Sequence, residues 1–270
     1  MRTLRLTLSA AALAALALLS RPAAAQDEDL GDWARNCHRW AGDSRQNFCQ
    51  EREERIAAPR LLRVDGRENG AVSVRGWDGD GVLVRQRIQA WASSMDEARR
   101  IAGAVRVHTA GGEIYADGPD SGRGRGYAVS YIIYVPRRMD LRVTTSNGPL
   151  AVSGVTGRMD LRAHNGPVAL SGLGGDVHAR AENGPLAVHL TGSRWNGEGL
   201  DAETTNGPLD LSLPASYRAT LTTGTVNGPM DVDVPLTVQG RFPRQFTTEL
   251  GGGGAPVRVV TTNGPVHIHR

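Results

Sequence analysis

The sequence predicts an all-β chain wound as a parallel β-solenoid, with two strands and two corners in each rung of about 18 residues, one short helix and a disulfide-bearing N-terminal cap. Three observations predict it. The triplet Asn-Gly-Pro recurs at Asn147, Asn165, Asn183, Asn206, Asn227 and Asn263. Apolar residues alternate on both sides of every triplet. The residue after each Asn-Gly is one that a tight hairpin cannot use.

The spacings between triplets are 18, 18, 23, 21 and 36 residues. Self-similarity at a fixed period is the signature of stacked repeats, and the last spacing, twice 18, reads as a rung that has lost its triplet. Aligned on the asparagines, the position six before holds Leu141, Met159, Val177, Leu200, Leu221 and Val257. The position three after holds Leu150, Val168, Leu186, Leu209, Met230 and Val266. Polar and small residues lie between these columns, and period two on either side of a turn means strands with one buried face.

Asn-Gly between alternating apolar residues is ordinarily a hairpin signal. In a two-residue hairpin the next residue donates its N–H back across the turn, and proline has none. Pro149, Pro167, Pro185, Pro208, Pro229 and Pro265 therefore predict corners leading into a different sheet, each proline opening the next strand. Asn-Gly is expected to supply positive φ at these corners. A second corner is expected at Gly157 and at Gly174-Gly175. An antiparallel meander with looser turns is the competing architecture.

Four segments follow. Residues 1–25 have a basic start (Arg2, Arg5), an apolar run from Leu6 to Leu19 and an Ala-x-Ala site at Ala23–Ala25, which is the pattern of a secretory signal peptide. The apolar run is too short for a comfortable membrane span. Residues 26–58 form a cap over the solenoid's N-terminal end, and Cys37 and Cys49 within it form a structural disulfide suited to an oxidising compartment. Residues 59–135 are irregular strands with a short helix near 94–105, where Ser94 and Glu97 have capping-box spacing. Asn69-Gly70 is a further corner without proline. Residues 136–270 are the repeat solenoid.

Charge excludes one class of partner. Arg2, Arg5 and Arg21 leave with the signal peptide, so the 31 basic residues of the whole chain shrink to balance its 28 acids. All 31 are arginine, but the only local basic run, "DSGRGRGY", reads as a Gly-rich loop, and no nucleic-acid role is expected.

The arrangement resembles a bacterial family of exported β-strand-repeat proteins, labelled candidate adhesins and of unknown function. The resemblance rests on the signal peptide, on "VRGW" and "VLVRQRIQAWA", on the short helix and on Asn-Gly repeats ending "VVTTNGPV", and it covers most of residues 59–270. It implies a parallel β-repeat fold and an envelope location, and no catalytic residues. Proline after nearly every Asn-Gly departs from the family pattern, so nothing is carried over at the turns.

Candidate chemistry lies on the outward columns. Ser153, Ser171, His189, Ser212, Asp233 and His269 share one column, but a triad needs histidine between nucleophile and carboxylate, and in chain order Ser212 lies between His189 and Asp233. Two rungs would separate those two by roughly 9–10 Å. Asp210, Asp231 and Asp233 are weak candidates for a hard cation, without the Gly-Gly-x-Gly-x-Asp motif of calcium-binding β-rolls. His267 and His269 share a strand face at the chain end. The spacing of 23 places an insertion at "GSRWNGEG": its tryptophan reads first as folded over the solenoid side, and Arg194, Trp195 and Glu198 on it are the candidate ligand-binding residues.

The expected function is a non-enzymatic exported envelope scaffold or binding protein, without cofactor, taking an envelope glycan or a protein partner. A carbohydrate-active β-helix enzyme is the first alternative, by analogy of fold alone. Assembly through the last strand, left as an open edge at "GPVHIHR", is the second.

Overall fold

In the computed structural model, Cys37 and residues 45–233 and 244–270 are described. The predicted signal peptide and most of the predicted cap lie outside the described residues. The N-terminal part contributes β1 (Gln46–Ala57), β2 (Leu61–Asp65), β3 (Val72–Trp77), β4 (Gly81–Ala92), α1 (Met95–Ala104), β5 (Arg106–His108), β6 (Glu113–Asp117) and β7 (Gly126–Pro136). The repeats contribute β8 (Asp140–Thr145), β9 (Leu150–Ser153), β10 (Thr156–Asn165), β11 (Val168–Ser171), β12 (Gly174–Asn183), β13 (Leu186–His189), β14 (Gly199–Asn206), β15 (Leu209–Ser212), β16 (Ala219–Asn227) and β17 (Met230–Val232). The chain ends with β18 (Gln245–Leu250), β19 (Pro256–Asn263) and β20 (Val266–His269).

Each rung places its first strand in one ten-stranded sheet and its second in another, and the two sheets enclose a single core. Pairing between rungs is parallel throughout the repeats. Among the described strands, antiparallel pairs occur only towards the ends, in β1–β4–β7, β5–β6 and β16–β18. The repeats are thus a solenoid and not a meander. The predicted inward columns are buried in every rung except the one cornered at Asn227, where Met230 and Val232 are half-exposed.

The Asn-Gly-Pro corners stack directly on one another. Side-chain amides form a continuous ladder in which Asn227 donates to Asn263, Asn263 to Asn206, Asn206 to Asn183, Asn183 to Asn165 and Asn165 to Asn147, all at 2.8–2.9 Å. The backbone keeps the same step: Gly166, Gly184, Gly207 and Gly264 donate to asparagine carbonyls of the neighbouring rung, and Leu150, Val168, Leu186, Leu209 and Val266 donate to proline carbonyls. Contrary to the sequence expectation, none of the triplet glycines has a positive φ. Close approach selects them instead. A Cβ on Gly184 would strike the Gly166 carbonyl oxygen, and one on Gly207 that of Gly184.

Alternation in a parallel ladder aims the missing proline N–H at the glycine carbonyl of the preceding rung. Threonine fills that gap. Thr204 Oγ1 donates to Gly184 O at 2.8 Å, Thr261 to Gly207 O and Thr225 to Gly264 O, both at 2.9 Å. The second corners lie upstream of the glycines expected there. Gly154, Gly172 and Gly192 make the positive-φ turns (65°, 57° and 73°), while Gly157, Gly174 and Gly175 already belong to strands.

The last rung is not last in space. β19 pairs with β14 on one side and β16 on the other, and β20 sits between β15 and β17. The expected open edge at the chain's final strand is therefore absent: β20 is paired along both sides. No parallel rung is seen among the described residues of the long spacing before Asn263 either. Its described part includes β18, which runs antiparallel along β16.

At the other end α1 forms where expected. Ser94 Oγ accepts from the Glu97 N–H at 3.3 Å, and Ala98 and Ala102 are buried. Cys37 and Cys49 are joined with Cα atoms 6.4 Å apart, and the closed loop should stabilise by about 3 kcal/mol. β1, the described part of the 26–58 segment beyond Cys37, is the outermost strand of its sheet.

Two substitutions separate these contributions. Thr204→Val should cost about 1 kcal/mol, the net worth of one hydrogen bond, whereas Gly184→Ala should cost roughly 2–3 kcal/mol by forcing rungs apart. Urea unfolding of both variants checks the order.

Candidate functional site

A cavity of about 500 Å³ opens where the rungs lose their regular corner, at the N-terminal end of the stack. One wall is the segment Gly66–Gly70 between β2 and β3. The other is the loop leaving β6 and the start of β7. Asp65 Oδ1 accepts the Arg67 N–H at 2.8 Å, and Arg67, at φ 52°, is the one non-glycine residue with positive φ among the described residues. Gly70 then donates to Gly66 O at 3.0 Å, closing the turn.

Arg67, half-exposed, is held by three neighbours. Its guanidinium pairs with Asp65 at 3.5 Å and Asp117 at 3.3 Å and lies 4.9 Å from the centre of the Tyr115 ring. His108 stacks on Tyr115 and reaches Asp117 at 3.2 Å. Deeper in, Tyr131 is 1% exposed, and its hydroxyl has no hydrogen-bond partner among the described residues. Leaving such a group unpaired costs on the order of 1–3 kcal/mol. Burial pushes the Tyr131 phenol up, with Asp65 adding to the shift and Arg67 opposing it. Burial also raises Tyr127, followed by Asp117, with Glu68 and Asp120 adding and Arg67 opposing. Both phenols are therefore donors at neutral pH.

The residues singled out in the sequence lie elsewhere. Trp195 does not face solvent: it is 5% exposed, belongs to the core, and its indole Nε1–H donates to Gly175 O at 2.9 Å. The insertion folds its tryptophan over the solenoid, leaving exposed Arg194 and Glu198 without the aromatic face that a ligand would need. Asp210 and Asp231 are kept apart by the inserted rung, with His267 in register between them. No group of three candidate ligands able to hold a metal occurs among the described residues.

Rung order also changes the outward polar column. His269, not Ser212, stands beside Asp233, because Ser212 and His269 are in register and the Asp233 N–H donates to Ile268 O. The chain-order objection to a triad thus falls. Geometry still prevents one: His269 Nε2 faces Asp210 Oδ1 at 3.2 Å, its Nδ1 lies 3.3 Å from the Arg270 carbonyl, and Ser212 is bonded to His189 Nδ1 at 2.6 Å. Burial alone would lower the His269 pKa, but the Asp210 and Arg270 hydrogen bonds and the charges of Asp210 and Asp233 together raise it above the ordinary value.

Residues 97–269 match the family model described as Toastrack DUF4097. The chain belongs to the Toastrack family. A search of curated proteins returns no match. Among solved structures, the chain is similar to a candidate cell adhesion protein from Clostridium sporogenes (9% identity, TM-score 0.46, covering 82% of this chain and 99% of that one). It is also similar to a candidate adhesin from Bacteroides fragilis (10%, 0.39, 82% and 96%) and to a candidate lipid-binding protein from Parabacteroides distasonis (7%, 0.36, 82% and 96%).

The Toastrack match covers one wall of the cavity, residues 117–131, and leaves out the other, residues 66–70. Sequence reasoning saw both pieces without joining them. Asn69-Gly70 reads as a corner without proline, and "DSGRGRGY" as a Gly-rich loop. The signal on offer is two spaced acids beside each, Asp65 and Glu68 on one and Asp117 and Asp120 on the other.

Trp195→Ala should lower stability by about 3–5 kcal/mol, as for a buried tryptophan, in thermal or urea unfolding. Asp210→Asn should bring the His269 pKa down in an NMR titration. Because His269 is raised on folding, its small stabilisation is full below its unfolded pKa and is lost as pH rises through its folded one.

Proposed function

We propose that this Toastrack chain is an exported, non-enzymatic binding module of the cell envelope whose ligand site is the N-terminal cavity. The observation that carries the reading is the cavity itself: an open concavity on a rigid stack, lined by charged side chains and by a buried phenol still lacking a partner. The Cys37–Cys49 disulfide supports an oxidising compartment. Among the described residues no helix is long and apolar enough to cross a membrane. The signal-peptide pattern at residues 1–25 supports export.

The test is to incubate the purified protein with cell-wall sacculi, envelope glycans and membrane vesicles, recording both co-sedimentation and released products. Saturable pelleting without products is the expected outcome. Soluble sugar fragments would replace this reading with a carbohydrate-active enzyme, and failure to pellet with any of the three would remove the envelope ligand.

A further inference from the structure

Asn-Gly is a peptide sequence prone to rearrangement. The glycine nitrogen can attack the asparagine side-chain carbonyl because no Cβ stands in its way. This chain carries eight such pairs, beginning at Asn69, Asn147, Asn165, Asn183, Asn196, Asn206, Asn227 and Asn263. Attack needs two freedoms: the glycine N–H must give up its proton, and the asparagine Cγ must swing over that nitrogen. A hydrogen bond donated by the glycine, or accepted by the side-chain oxygen, removes one of them, and reaction then waits for local opening.

The stack sorts the eight pairs. Inside the ladder, Asn165, Asn183, Asn206 and Asn263 each accept a neighbouring amide on Oδ1 and donate to the next oxygen. Their glycines, Gly166, Gly184, Gly207 and Gly264, donate to backbone carbonyls at 2.9–3.0 Å. Asn147 also accepts on Oδ1, and Gly148 is buried. Gly70, after Asn69, is buried and donates to Gly66 O at 3.0 Å.

Two pairs escape. Asn227 ends the ladder: its amide donates to Asn263, but no rung lies beyond it among the described residues. Nothing described donates to its Oδ1 or accepts from the Gly228 N–H, and both residues are exposed. Asn196 lies in the insertion beside Trp195. Its backbone carbonyl accepts the Gly175 N–H at 2.8 Å, but among the described residues no hydrogen bond engages its side chain or the Gly197 N–H, and Asn196 and Gly197 are exposed.

We propose that Asn227 and Asn196 are the sites at which this protein modifies itself, by deamidation. The glycine nitrogen bonds to the asparagine Cγ, and the side-chain nitrogen leaves as ammonia, carrying the glycine proton. Water then adds to either carbonyl of the resulting succinimide, which opens to aspartate or isoaspartate with no change of oxidation state. At position 227 the product has no amide to donate and sets a negative charge beside Asn263 Oδ1, so the ladder loses its last link and the stack frays from that end.

The experiment holds the purified protein in mildly alkaline buffer, folded or unfolded in urea, and follows each asparagine by peptide mapping with mass spectrometry. Unfolded, the eight pairs should convert at similar rates. Folded, Asn227 and Asn196 should convert at least about tenfold faster than the other six, whose hydrogen bonds or burial must first be undone. Asn227→Asp should lower the urea midpoint, and protein aged at that position should show the same shift. Conversion of any ladder asparagine from Asn147 to Asn206, of Asn263 or of Asn69 as fast as Asn227 in the folded protein overturns the inference. So does an Asn227 or Asn196 that stays intact when folded while the unfolded chain converts there. An unchanged midpoint in Asn227→Asp overturns the loss of the ladder link.

Discussion

The constraint on which the rest of this molecule depends is the hydrogen-bond register at the Asn-Gly-Pro corners. Asparagine amides and corner backbones advance by the same step, so every rung must sit directly over its neighbour. That requirement explains the composition of the triplet. Glycine is there because the neighbouring carbonyl leaves no room for a Cβ, proline because the corner must not close into a hairpin, and threonine two residues upstream because proline leaves a carbonyl without a donor. Alanine at the same position in Ala163 and Ala181 shows that the replacement is not made in every rung.

Register also lets the rungs stack out of chain order. Any rung with an Asn-Gly-Pro corner and matching inward columns fits between two others, and the final one fits between the rungs ending at Ser212 and Val232. Insertion pairs the terminal strand on both sides and leaves β17 outermost among the described strands of its sheet, while β18 lies along β16 in the other. The same insertion interleaves histidines with aspartates on the outer face. It converts what chain order presents as a cluster of carboxylates into alternating His and Asp partners.

The N-terminal end is different because its corner is built differently. Asn69-Gly70 carries no proline, and the turn from Gly66 to Gly70 is wider, with Arg67 held in a left-handed conformation by Asp65. Where the regular stack stops, the segment from Gly66 to Gly70 forms one wall of the cavity and the charged loop after β6 the other, with Tyr131 buried beneath. The binding function proposed for this Toastrack protein is thus placed where the repeat is broken, on a foundation that the repeat keeps rigid.

Much of this was determined by sequence alone. The parallel solenoid, the inward columns, α1 with its Ser94 cap, and the Cys37–Cys49 bridge follow from local rules: period two, a proline that cannot donate, a capping spacing and an even pair of cysteines. What local rules do not carry is spatial order and depth. Glycine at a corner reads the same whether it is there for φ or for close approach, and only the stacked neighbour decides. Trp195 in a five-residue insertion is open in sequence to a fold over the solenoid side or to a binding loop, and only the core it enters decides for the first. The final strand reads as an edge because sequence order stands in for neighbourhood. The cavity joins residues 66–70 to residues 117–131 across about fifty positions of chain, and only tertiary structure brings the two segments together.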